Sequence, residues 1–205
     1  MPDPLPRGKV TLTIACALKD EPHRIGSSHE RSTLCIQTNN HKMLHVMALR
    51  SKTKMRDKRF IAERRGGPLK KEQHYQLIKW ACECAENVLF LFGEPIDERL
   101  QKALKVAKDW KQGNASVGDA RKASLDAIAL ANRITNKSAI AVARSVGHAV
   151  ATAHMADHSL AAALYALKAT KNAYRSIDEE RKWQDEQLPS EIKELVLTAR
   201  KGIKI

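Results

Sequence analysis

Apolar side chains recur at spacings of three and four from about residue 69 onward, and at no sustained spacing before it. In Leu69–Phe92 they fall at Leu77, Ile78, Trp80, Ala81, Cys84, Ala85, Val88, Leu89 and Leu91, one face of a helix. Gly93 ends that pattern, and Pro95 stands where a first helical turn tolerates proline. A second helix is predicted over Ile96–Lys111, with Leu100, Ala103, Leu104, Ala107 and Trp110 facing inward and Asp97 and Glu98 in its first turn. Gly113-Asn114 breaks the chain, and Ser116 with Asp119 three residues later predicts a capped helix running to about Ile134. Ala139–His158 and Ser159–Arg175 read as Ala-rich helices, Asp178–Gln187 as a short charged one, and Pro189 restarts a last amphipathic piece. Links of two to five residues predict antiparallel neighbours. The expected fold is therefore all-α, an antiparallel bundle of about five to seven helices.

Residues 1–54 follow a different pattern. Pro2, Pro4 and Pro6 precede a possible short strand at Val10–Leu18, and a polar Ser/His/Asn-rich stretch follows, with only Met43–Leu49 suggesting an apolar face. Segment 1–54 is thus expected to be a weakly ordered extension and 55–205 the helical domain. Met43, Met47 and Met55 are internal methionines; a product starting at Met55 is a hypothesis that the intact mass of the native protein would settle. The run Val10–Leu18 is interrupted by threonines and has no convincing cleavage site, which argues against a signal peptide. No stretch has the apolar length of a membrane span, so a cytoplasmic protein with no membrane partner is expected.

Composition narrows this picture. Hydrophobic residues make up 43% of the chain but aromatics only 4%, so the core must be built mainly from Ala, Leu, Ile and Val. The net charge of +13 lies in the front two thirds: twelve basic against five acidic side chains in 1–60, eighteen against eleven in 61–175, six against seven in 176–205. Such a balance favours an anionic partner of some kind. Arg56, Arg59, Arg64 and Arg65 are the candidate carriers of a nucleic-acid patch, with Phe60 the one ring able to stack on a base; no helix-turn-helix, finger or RNP signature accompanies them. Four cysteines have no disulfide or zinc spacing, and Cys82 and Cys84 would point about 200° apart on a helix.

The most distinctive chemistry is the run Gly147-His148-Ala149-Val150-Ala151-Thr152-Ala153-His154-Met155-Ala156-Asp157-His158. On one continuous helix His154 and His158 are four apart and could reach one ion, whereas His148 lies about 80° around and about 15 Å along the axis from His158. A third ligand would have to come from another helix, His74 being the one other histidine in the helical region, and no metal or cofactor is assigned. Gly147 and Ala151 form a small-residue face against which a helix such as Ala161–Ala166 can pack closely. Three roles are open for this run: scaffold imidazoles hydrogen-bonded within the fold, a metal or ligand centre, or a polar site for an acidic partner or small anion built on Arg144, His148 and His154. Ser145 and Ser159 lack an elbow-like setting for a nucleophile, and no enzyme activity is expected.

Together with Arg56-Asp57-Lys58-Arg59-Phe60-Ile61-Ala62, Arg65-Gly66-Gly67-Pro68-Leu69, Glu72-Gln73-His74 and Trp80-Ala81, the histidine run resembles the all-helical bacterial immunity proteins of toxin systems, their fifth-numbered group in particular. The likeness covers roughly Arg56 to Asn172. It implies a non-enzymatic protein that neutralises a cognate protein toxin by stoichiometric occlusion. Immunity proteins that oppose nucleases often have acidic surfaces, and this basic chain departs from that. The alternatives are a metal- or ligand-binding protein centred on the histidines and a basic nucleic-acid-associated module.

Overall fold

Caps and small-residue contacts account for most of the architecture. The computed structural model describes residues 57–201, and the chain's contacts divide it after Lys54. What was expected of 1–54 and of Arg56 lies outside the described residues. Within them the helices are α1 (Lys71–Asn87), α2 (Glu98–Gln112), α3 (Val117–Ala131), α4 (Lys137–Ala151), α5 (His158–Asn172), α6 (Ile177–Glu186) and α7 (Ser190–Arg200). This is the all-α bundle the periodicity predicts.

Ser116 caps α3 as expected: its Oγ accepts from the Asp119 N–H, and the Asp119 carboxylate accepts from the Ser116 N–H at 2.9 Å. Gly113 closes α2 in the left-handed conformation. Two boundaries differ from expectation. The first helix stops at Asn87 and continues only as a 3-10 turn, Leu89–Phe92. Helix α2 begins at Glu98, because Asp97 is its cap, accepting from the Arg99 N–H, so Pro95 lies outside the helix.

Helix α4 is the centre of the bundle, touching α1, α2, α3 and α5. Its sequence is small and apolar nearly all round, and eleven of its fifteen residues are buried. Ser138 Oγ donates to the Ala169 carbonyl and Ser145 Oγ to that of Ala162. Partner numbers fall on α5 as they rise on α4, so the pair is antiparallel, and serine hydroxyls fix its register. On another face, a Cβ at Gly147 would lie 2.5 Å from Ile128 Cγ1 and 3.2 Å from the Ser124 carbonyl oxygen. The close approach that the glycine permits is therefore to α3, while Ala162, Ala163 and Ala166 serve the buried side of α5.

The charged α6 is held by polar groups. Trp80 Nε1 donates to the Gln184 carbonyl, and the Gln184 amide nitrogen donates to Glu180. Arg200 of α7 reaches the Gln184 side-chain oxygen and forms an ion pair with Asp185. Among the described residues no helix is long and apolar enough to cross a membrane.

Candidate functional site

The helix carrying Gly147 and His148 does not reach His158. It ends at Ala151, and Thr152–Asp157 form turns before α5 begins at His158. The continuous helix expected over Ala139–His158 is therefore corrected, although no glycine or proline marks the break. The turn is set by tertiary contacts that override the alanines' helix propensity. Thr152 is fully buried, its hydroxyl turned back to the His148 carbonyl. His74 Nε2 lies 2.6 Å from the Thr152 carbonyl; since that oxygen only accepts, Nε2 carries a proton and donates it. Ala153 N–H and His154 N–H then bond three residues back, to Val150 and Ala151.

This break brings together histidines that a straight helix would separate. The antiparallel register of α4 and α5 places His148 Nδ1 3.2 Å from His158 Nδ1, where one continuous helix would hold the two residues far apart along its axis. One ring donates and the other accepts. His154 joins them, its ring centroid 5.1 Å from that of His158. His148 stacks on Tyr165 within 6° of parallel, and the Arg144 guanidinium lies over the same Tyr165 ring at 5.8 Å. Burial, then the neighbouring His158 and Arg144, push the His148 pKa down to about 4, so this ring is neutral at neutral pH. Arg144, His148, His154 and His158 thus sit in one cluster. Among the described residues no group of three or more His, Cys, Asp or Glu is placed to hold a metal ion. His74 is not part of this cluster; it approaches the turn from α1, and burial lowers its pKa.

His74 instead belongs to a second feature, an open cleft of about 530 Å³. Trp110, expected to face inward, is half-buried in its wall. The Trp110 ring lies 5.2 Å from His74 and meets Tyr75 edge-on at 5.4 Å, while Lys71 Nζ lies over Tyr75. Arg64 and Glu63 border the opening. Their loop is fixed by its backbone: Leu69 N–H donates to the Ile61 carbonyl and Glu63 N–H to that of Leu69. Gly66 takes a left-handed φ of 76°, and any Cβ at Gly67 would collide with Ile61. The Gly-Gly-Pro-Leu run thus fixes one wall of the cleft.

The four arginines of the expected basic patch do not share one role. Arg59 pairs with Asp57 at 2.7 Å and donates to Thr198 of α7, Arg64 lines the cleft, Arg65 is exposed, and Arg56 is outside the described residues. Phe60 is in the core, 1% exposed, and is unavailable for stacking on a base. Cys82 and Cys84 are buried, which pushes the Cys82 thiol up to about 12 and that of Cys84 well above its ordinary value. The Ser145 and Ser159 hydroxyls both donate to backbone carbonyls.

Sequence reasoning missed Lys71, Tyr75 and Tyr165 as parts of these sites. Aromatic scarcity was a usable signal: with three Tyr and three Trp in the chain, Tyr75 and Trp110 were worth following to their surroundings. No curated protein and no solved structure is found to match the chain. A family model does match, over residues 67–191, from the cleft's Gly67 through the histidine turn to the start of α7, more than half of the sequence. The chain belongs to the family described as Imm-5 like putative immunity protein.

Proposed function

We propose that the unit 55–205 is a bacterial, cytoplasmic immunity protein that binds a cognate protein toxin and neutralises it by stoichiometric occlusion, without chemistry of its own. The observation that carries this reading is the family membership over residues 67–191. The scaffold suits occlusion, because a stiff, alanine-packed bundle with α4 buried at its centre changes little on binding and can present a complementary surface in advance. The positive balance of the chain would speed encounter with an acidic partner surface. The candidate serine and cysteine nucleophiles are committed elsewhere: the Ser145 and Ser159 hydroxyls to carbonyls, and the two buried thiols to the core.

The test is co-expression with the protein encoded by the adjacent reading frame, where this reading expects a toxin domain. Rescue of growth and a stoichiometric complex on copurification are expected. Growth arrest despite co-expression, with no complex, would contradict the reading. The nucleic-acid alternative loses its stacking residue with the burial of Phe60.

A further inference from the structure

We infer that the cleft between the Gly66-Gly67 loop, α1 and α2 is the toxin-docking face, and that it accepts an acidic segment of the toxin carrying an aromatic or large aliphatic anchor. This rests on the immunity reading above and adds to it the place and the chemistry of contact.

Two of the scarce aromatic side chains share this opening. The chain has nine Phe, Trp and Tyr in 205 residues. Phe60 and Trp80 are spent on the core, at 1% and 0% exposure. Tyr75 and Trp110 are instead left half-buried around one opening, edge to face, with His74 as a third ring. An open aromatic wall retains apolar area that only an incoming group can cover. Tyr, Trp and Arg are also the residue types that dominate binding energy at protein interfaces, where they form or line pockets. At about 530 Å³ the cleft has room for an anchoring side chain and its neighbours.

Charge favours an acidic occupant. Between Asp57 and Lys71 the chain carries six basic side chains against two acidic ones, and Asp57 is neutralised by Arg59. At the cleft itself two cations, Lys71 and Arg64, stand against one carboxylate, Glu63. Lys71 Nζ is 5.4 Å from the Tyr75 ring centroid, so its charge is presented beside the aromatic wall. An acidic segment meets these cations while its apolar anchor covers Trp110. By contrast, the imidazoles of the histidine turn are directed at one another and at Tyr165.

The cleft is also rigid. Its wall is pinned by the Ile61–Leu69 and Glu63–Leu69 backbone bonds, and its floor by the bond from His74 to the Thr152 carbonyl. The aromatic positions are therefore set before any partner arrives, which reduces the ordering cost of association.

The test uses the full chain and the cognate toxin identified by that co-expression, with affinity measured by titration calorimetry. Trp110→Ala is expected to weaken the complex at least roughly 30-fold, the level of an interface hot spot. Arg64→Glu with Lys71→Glu, two exposed positions that cannot disturb the core, should weaken it at least roughly 10-fold and slow association. Tyr174→Ala, at a fully exposed ring elsewhere, should leave affinity unchanged. If the toxin binds wild type and both cleft variants equally well, the cleft assignment is overturned and the immunity reading stands. If wild type binds no toxin, both fail together. If the chain alone dimerises and Arg64→Glu/Lys71→Glu abolishes the dimer without altering toxin affinity, the occupant is a second copy and the assignment is likewise overturned.

Discussion

The histidine turn and the aromatic cleft are both built on scarce side chains, yet they dispose of them in opposite ways. At the turn, His148 and His158 pair through their Nδ1 atoms, and His148 stacks on Tyr165. At the cleft, Tyr75 and Trp110 line an opening beside the cations of Arg64 and Lys71. The first arrangement turns imidazoles toward one another inside the fold; the second leaves apolar area and charge facing outward. On the docking reading proposed above, a distinctive sequence run builds the scaffold, while two aromatics that belong to no motif form the contact surface. His74 joins the two regions, its ring against Trp110 and its Nε2 on the Thr152 carbonyl.

The largest effect should come from breaking the seat of the turn. Gly147→Leu forces a side chain into Ile128 and the Ser124 carbonyl, and denaturant melts should show a loss of about 3 kcal/mol or more. An unchanged midpoint would mean that α3 and α4 are not held by this contact. Next, His74→Ala removes a buried hydrogen bond and a ring contact, leaving the Thr152 carbonyl without its imidazole donor, at a cost of about 2–3 kcal/mol. Because His74 serves both regions, this variant should also weaken toxin binding, whereas Gly147→Ser, if folded, should not.

A pH series sharpens the same contrast. Folded His148 protonates only near pH 4, against an ordinary imidazole value of 6.5. Between those values the unfolded chain binds more protons than the native one, so the contribution is complete above pH 6.5 and is lost as pH falls toward 4. After allowance for the ring's partial exposure the loss is about 2 kcal/mol. His148→Gln should flatten this part of the stability–pH curve relative to wild type; parallel curves would show that the imidazole pair is not the sensor. The smallest effect is expected away from both regions. Tyr174 follows α5 at a positive φ of 56°, with Arg175 N–H bonded to the Thr170 carbonyl. Its ring is 99% exposed. Tyr174→Gly should therefore stabilise by about 0.5–1 kcal/mol in thermal melts.

Much of the fold is legible in the sequence because its signals are local. Ser116 with Asp119, Gly113 and Gly93 mark ends that depend on side chains within a few residues of the boundary. The break after Ala151 is not legible, because the turn has no residue that forbids a helix and the histidine that binds its carbonyl stands on α1, more than seventy positions away. Without that break, wheel geometry separates His148 from His158, although the α4–α5 register brings them together. Trp110 packs against the core as expected but is only partly buried, for a related reason. Period 3.6 places it on the inward face of α2, but α2 ends two residues later, at Gln112, where the bundle gives way to the cleft.

If the cleft binds while the histidine turn builds, the two regions must respond differently to mutation. Calorimetric titration of the cognate toxin against wild type, Trp110→Ala and His148→Gln, with a thermal melt of each, tests this most directly. Trp110→Ala should lose roughly 30-fold or more in affinity while staying folded, and His148→Gln should lose stability while its affinity stays within about threefold of wild type. Affinity lost in His148→Gln and retained in Trp110→Ala would contradict it.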